Sequence, residues 1–368
     1  MSRSRRARRA MAPALALALA AAVAACGDDD DGTGAAGDEP VDIALLLPET
    51  KTARYETQDR PLFEAKVEEL CPDCKVLYSN ADQDAAQQQS QAEAALTNGA
   101  DVLVLDPVDS ASVGSIVAQA ASRDVPVISY DRLVADADLD YYISYDNERV
   151  GELQASSLVE KLQAGGVRRG AVVMINGAPT DNNATLFKRG AHSVLDDSPF
   201  DIGVEYDTPD WSPDAAQREM EQAVTRLGPT GFVGVYAAND GTAGGAIAAM
   251  KAAGVDPLPP VTGQDAELAA IQRILAGEQY MTVYKAIKPE AEITAEVAIA
   301  LARGEDPPED RVNEQVDNGG GDVPSQILDP VAVTVDNIDE TIVADGFWPV
   351  EQICEGAYAQ ACRAAGIG

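Results

Sequence analysis

The chain has 368 residues, 46% of them apolar, a length and composition that favour two globular domains over one. Its 27 basic and 61 acidic residues leave a formal charge of −34, which repels nucleic acid and anionic lipid headgroups but carries no penalty for a neutral small molecule. A lone histidine, His192, excludes histidine metal clusters and HExxH chemistry, and no GxSxG or GxxxxGK[ST] run is present to support a serine elbow or a P-loop.

The chain opens with Arg3, Arg5, Arg6, Arg8 and Arg9 ahead of an Ala/Leu run from Ala10 to Ala25, the pattern of a secretory signal. That run ends in Val23-Ala24-Ala25-Cys26-Gly27, which resembles the lipobox of bacterial lipoproteins. The expectation is removal of residues 1–25 and lipidation of Cys26, with several acyl chains giving stable anchoring where one does not. Losing the five signal arginines leaves 22 basic against 61 acidic residues, a net −39. Residues 26–40, rich in Asp and Gly, read as a flexible acidic leash rather than a calcium site.

Strands are predicted at Asp42 to Leu47, Val76 to Ser79, Val102 to Leu105, Val125 to Tyr130 and Tyr141 to Tyr145. Asp84 to Thr97 reads as a helix closed by Asn98-Gly99, and Asp146-Asn147-Glu148 as a helix start where the chain crosses into a second lobe. The plan then repeats with strands at Ala171 to Asn176, Ile202 to Tyr206, Phe232 to Ala237, Val261 to Gly263 and Met281 to Tyr284. Helices Pro213 to Leu227 and Thr242 to Ala253 lie between them. Alternating strands and helices imply an α/β fold with parallel sheets in two similar lobes, and two such lobes imply a cleft.

Four cysteines remain after Cys26, and an even remainder in an exported chain suggests two disulfides. Cys71 and Cys74, in CPDC, follow a helical segment ending near Leu70; a helix C-terminus disfavours thiolate, so a structural clasp is the better reading than redox catalysis. Cys354 and Cys362 on one straight helix would stand about 12 Å apart, too far to bridge, so any pairing needs a turn, for which Gly356 is available. Asp136, Asp138 and Asp140 mimic the start of a calcium loop, but Tyr141 takes its glycine position and Asn147 its last ligand.

Polar and aromatic residues gather just after the predicted strands: Arg54-Tyr55, Asp131-Arg132, Asp181-Asn182-Asn183, Trp211, Asn239-Asp240, Gln264-Asp265 and Lys285. Any one alone reads as a helix cap or turn. As a set they have the chemistry a sugar needs. A buried hydroxyl both donates and accepts, which Asp, Asn, Arg and Lys together satisfy, and the C–H faces of a pyranose suit Tyr55 and Trp211.

The runs PETKTARY, VPVISYDR, YYISYDNERVGELQ, PTDNNATLF, AANDGTAGGAI, VTGQDAEL, ILAGEQYMTVYK and VPSQILDPVAV, in that order, resemble the type I periplasmic sugar-binding proteins. The likeness runs from about Val41 to about Phe347 and is closest to the branch that binds D-xylose for ABC importers, with multi-sugar aldose binders next. It implies two Rossmann-like lobes joined by a three-strand hinge: residues 41–146 with 286–325, and 147–285 with 326–350, followed by a tail at 351–368. It further implies that Arg54, Arg132, Asp181, Asn183, Asn239, Asp265 and Lys285 bond the sugar, while Tyr55 and Trp211 sandwich its ring; Asp131 and Asn182, from the same set after the strands, are counted as sugar-binding residues with them. Tyr55 replaces the family's usual Trp, and the Cys-bearing tail has no counterpart in the family pattern. The implied partners are an aldose, D-xylose first or else glucose, arabinose or galactose, the permease subunits of an ABC importer, and a membrane reached through lipid. A monomer without catalysis, cofactor or metal is implied. A sugar-responsive transcription regulator would share the lobes but needs a basic surface, and a glycosidase would need a carboxylate pair such as Asp181 and Asp265.

Overall fold

The computed structural model describes residues 40–367, so the signal, Cys26 and nearly all of the leash lie outside the described residues. The first lobe begins with β1 (Asp42–Leu47), α1 (Arg60–Leu70), β2 (Lys75–Asn80), α2 (Ala85–Thr97), β3 (Val102–Leu105), α3 (Gly114–Ala121), β4 (Val127–Tyr130) and β5 (Tyr141–Tyr145). Its strands are apolar on both faces because helices cover both. In β1, Ile43, Leu45 and Leu47 enter a core with Phe63 and Val67 of α1, while Ala44 and Leu46 enter another with Ala92 and Leu96 of α2. This two-residue alternation between cores is what strand geometry imposes on a doubly covered sheet.

The second lobe continues through α4 (Asn147–Ala164), β6 (Gly170–Asn176), α5 (Asn182–Leu195), β7 (Phe200–Asp207), α6 (Pro213–Leu227), β8 (Gly234–Ala237), α7 (Asp240–Ala252), α8 (Leu268–Leu275) and β9 (Met281–Tyr284). β6 repeats the logic of β1, with Val172 and Met174 facing α4 and α5 and Val173 and Ile175 facing α6 and α7. The parallel sheet has the order β7-β6-β8. The helices α4 and α5 cross at Gly151 and Gly190, where a Cβ would stand 1.9 Å from the Phe187 carbonyl oxygen and 2.0 Å from that of Glu148.

The chain then returns to the first lobe as α9 (Ile287–Ala302), β10 (Glu314–Asp317) and β11 (Asp322–Leu328), and goes back again as β12 (Val331–Thr334), antiparallel to β9. The first sheet is thereby completed in the order β10-β11-β5-β4-β3-β1-β2, parallel except for the edge strand β10. Three segments cross between lobes, after β5, after β9 and after β11. The third crossing lies later than expected, since Gln326, Ile327 and Leu328 still pair with Ile143, Ser144 and Tyr145 of the first sheet.

Some predicted boundaries shift for local reasons. β4 starts at Val127 because the Val125 N–H closes the end of α3 on Ala120. The expected strand Val261 to Gly263 is a single bridge from Val261 to Val235, the chain having just left Pro259-Pro260. α7 starts at Asp240, where Asn239 and Thr242 form a capping box.

After β12 the tail folds onto α8 as α10 (Val350–Ile353) and α11 (Ala359–Ala365). Both cysteine pairs are bridged: Cys71 to Cys74, and Cys354 to Cys362 with Cα atoms 5.8 Å apart. The second bridge is possible because the chain turns at Gly356, whose φ is +59°.

Candidate functional site

The site residues stand beyond the carboxyl ends of strands, where an α/β sheet opens a crevice. Arg54 and Tyr55 follow β1, and Asp131 and Arg132 follow β4; across the cleft, Asp181 and Asn183 follow β6, Trp211 follows β7, Asn239 follows β8 and Lys285 follows β9. With Asp265, Thr52, Phe187 and Gln264 they line one tight pocket whose free volume is about 20 Å³, room for about one water as the side chains stand. Every one of these side chains is buried.

Local structure aims them. The Asp181 carboxylate caps α5 by accepting the Asn183 N–H at 2.8 Å, which fixes the turn that points Asn183 inward. Asp131, Trp211 and Asp265 hold left-handed backbone, with φ of 53°, 52° and 94°. Non-glycine residues avoid that region unless the surroundings enforce it, and strain of this kind concentrates at functional sites. Gly177 makes room for the indole: a Cβ there would lie 2.0 Å from the Trp211 ring. Phe187 meets that ring edge-on, with centroids 6.3 Å apart.

The polar groups form a charged lattice that spans the cleft. Arg54 is gripped from behind by Asp59 at 2.6 and 2.9 Å and by Glu290 at 2.8 Å. Its Nη1 faces Asp131 at 3.5 Å and Asp265 at 3.9 Å without a hydrogen bond among the described residues. Lys285 reaches across to Asp131 at 3.1 Å, and Asn183 donates to the Asp131 carbonyl oxygen, also at 3.1 Å. Arg132 pairs with Asp181 at 3.1 Å, off the alignment of a hydrogen bond, and donates to the Tyr55 hydroxyl at 3.2 Å. Trp211 Nε1 donates to Asp181 at 3.0 Å.

Burial disfavours the charge on every carboxylate here, and the neighbours decide the outcome. Against that cost, Arg54, Lys285 and Arg132 hold Asp131 well below the usual carboxylate range. Burial pushes Asp265 up, because Lys285 and Arg54 only partly offset it, and Asp265 Oδ1 has no hydrogen-bond donor among the described residues. The cavity thus presents an under-used acceptor, Asp265 Oδ1, opposite an under-used donor, Arg54 Nη1. That pairing suits a ligand whose groups both give and take protons in hydrogen bonds.

Asn182 is a correction. As the first residue of α5 its N–H bonds the Ser110 hydroxyl at 3.2 Å, and its side chain lines an outer groove beside Asp146 and Arg189. Consecutive helical residues point about 100° apart, so Asn182 and Asn183 cannot both face the cavity. Thr52 and Phe187 were not anticipated. Phe187 had a signal, standing four residues after Asn183 on the same helical face; Thr52, in a loop, had none.

A family model described as a periplasmic binding protein domain matches residues 43–306. The chain belongs to that family. Among curated relatives of this periplasmic binding protein, the D-xylose-binding periplasmic protein of Escherichia coli is 39% identical over 317 residues, covering 85% of this chain and 92% of that one. The multiple sugar-binding periplasmic receptor ChvE of Rhizobium radiobacter is 34% identical, covering 74% and 81%. Among solved structures, an ABC transporter solute-binding protein from Clostridium phytofermentans with bound β-D-glucose superposes with a TM-score of 0.78 at 30% identity, covering 85% of this chain and 99% of that one.

Proposed function

We propose that the protein is an extracytoplasmic receptor that captures an aldopyranose, D-xylose ahead of other aldoses, and delivers it to the membrane subunits of an ABC importer. The observation that carries this reading is the buried pocket between two lobes, where Asp265 Oδ1 and Arg54 Nη1 stand without hydrogen-bond partners among the described residues, in a lining that includes Tyr55, Trp211 and Phe187. The D-xylose-binding relative has the highest identity among those described above, 39%. Sugar hydroxyls would take up the unused capacity of Arg54, Asp265, Asn239 and Lys285, and ring faces would pack on the aromatic walls.

Function follows from which lobe holds each group. The ligand contacts Arg54 and Arg132 on one side and Asp265 and Asn183 on the other only when the lobes are together, so binding shifts the population toward the closed shape. Catalysis has no support. Both Asp181 oxygens are engaged, by the Asn183 N–H and the Trp211 indole, so this carboxyl is poorly placed to give a proton to a glycosidic oxygen. Export with lipidation at Cys26 completes the proposal, and mass analysis of the mature N-terminus tests it.

A broader aldose receptor is favoured by one observation, the likeness to a multiple sugar-binding receptor. Thermal unfolding against D-xylose, D-glucose, L-arabinose and D-galactose separates the readings, because a ligand of the native state raises the midpoint by an amount that grows with the logarithm of its affinity. A shift with D-xylose alone supports the narrow reading and shifts with several support the broad one; no shift with any sugar would overturn both.

A further inference from the structure

The tail beyond β12 does more than cover the second lobe. Ile342, Phe347, Ile353 and Ile367 pack against Ile271 and Ile274, and the bridged loop from Cys354 to Cys362 lies over α8. From this platform Trp348 donates its indole Nε1–H to the carbonyl oxygen of Ala266 at 2.8 Å. Ala266 follows Asp265, and both hold left-handed backbone, with φ of 51° and 94°. Alanine does not rest there unaided, and the φ of Asp265 lies beyond the narrow left-handed well that aspartate tolerates.

Three supports of this turn grip its N–H groups from within the second lobe. The Asp265 N–H bonds the Val283 carbonyl at 2.9 Å, the Ala266 N–H the Thr282 hydroxyl at 3.2 Å, and the Glu267 N–H the Asp240 carboxylate at 3.0 Å. Trp348 takes the intervening carbonyl of Ala266 and comes from outside the sheet. The tail also meets the first lobe, since Gln58 donates to the Phe347 carbonyl at 3.4 Å and Leu62 packs on the same apolar cluster.

We infer that Trp348 is a positioning residue for ligand binding: through the Ala266 carbonyl, the disulfide-held tail fixes the strained turn that aims the Asp265 carboxylate into the cavity. This rests on the reading of Asp265 as a sugar ligand. Losing the indole N–H lets the turn relax and moves the carboxylate off its line, so affinity falls although no cavity-lining residue has changed.

The test is titration calorimetry with D-xylose on the wild type, Trp348→Phe and Trp348→His, beside thermal unfolding without sugar. Phe keeps an apolar ring and lacks the donor; His is smaller but carries a ring N–H. Trp348→Phe should bind about tenfold more weakly, equivalent to 1.4 kcal/mol, with an unchanged sugar-free midpoint, and Trp348→His should recover part of that affinity. Wild-type affinity in folded Trp348→Phe, with or without a lower midpoint, would overturn the inference and leave Trp348 a packing residue. Equal losses in both variants would also overturn it, by assigning the effect to ring size. A wild type that binds no aldose would overturn the reading of the site itself, and the inference with it.

Discussion

Two aspartates only a lattice apart have opposite duties. Asp131 is held ionised by Lys285 and Arg54, and Asp131→Asn would leave two buried cations under-compensated, so it should unfold the protein more readily, by about 3–5 kcal/mol in chemical denaturation. Asp265, with one oxygen lacking a hydrogen-bond donor, should behave the other way: Asp265→Asn costs about 10- to 100-fold in aldose affinity by calorimetry while the unfolding midpoint holds. Trp211→Ala should lose affinity on a similar scale through its lost ring contact. The residue types of the site were legible in the sequence because they sit immediately after strands, and the family motifs fixed which of them to choose. Their supports were not. Asp59, at the end of the π-helical turn Tyr55–Asp59, and Glu290 of α9 fix Arg54, and Glu290 lies 236 residues away in the chain, a distance that no local pattern spans.

Among the elements, the pair α4 and α5 tests how close packing shapes the cleft. Gly190→Ala would push a methyl into the Glu148 carbonyl, costing about 1–3 kcal/mol in denaturant unfolding and displacing Phe187, three residues earlier on the same helix, from the cavity wall. Strands covered on both faces announced themselves as runs rich in β-branched residues, leucine or, in β5, tyrosine, which is why β1, β3, β5 and β9 matched their predicted limits. The pair β10 and β11 carries no such signal. Its sequence, EQVD and DVPSQIL, is polar and holds a proline, as suits an edge hairpin, and only its pairing with β5 makes it part of the sheet. Opening the loop between Cys354 and Cys362 with Cys354→Ser and Cys362→Ser should lower stability by about 2–3 kcal/mol in the chain-entropy account, read by thermal unfolding under non-reducing conditions.

For the whole molecule, stability should fall as pH rises through the neutral range. Burial pushes Asp240 up to about 7 and, with Asp240 and Asp265 adding repulsion, Glu267 up to about 8. A carboxyl whose pKa is raised by folding binds its proton more tightly in the native state, so its stabilisation is complete below its unfolded value of about 4 and is lost as pH climbs to the folded value. Asp131 is shifted the opposite way, and its contribution fades only in acid, below about pH 4. Between pH 5 and 8 the sugar-free midpoint should therefore decline, as a series of calorimetric scans would record; a rising midpoint would contradict the burial of Asp240 and Glu267. The threading of the chain also sets an order in time. α9 completes the cover that α1 begins over the face of β1 formed by Ile43, Leu45 and Leu47, and β11 completes the sheet beside β5, yet both follow α4 to β9 and so most of the second lobe in sequence. A chain emerging from its N-terminus has only α1 over that face for more than two hundred residues of growth, so the first lobe to be started waits for segments made after most of the second, and a fragment that stops at Tyr145 has a sheet without half of its lid.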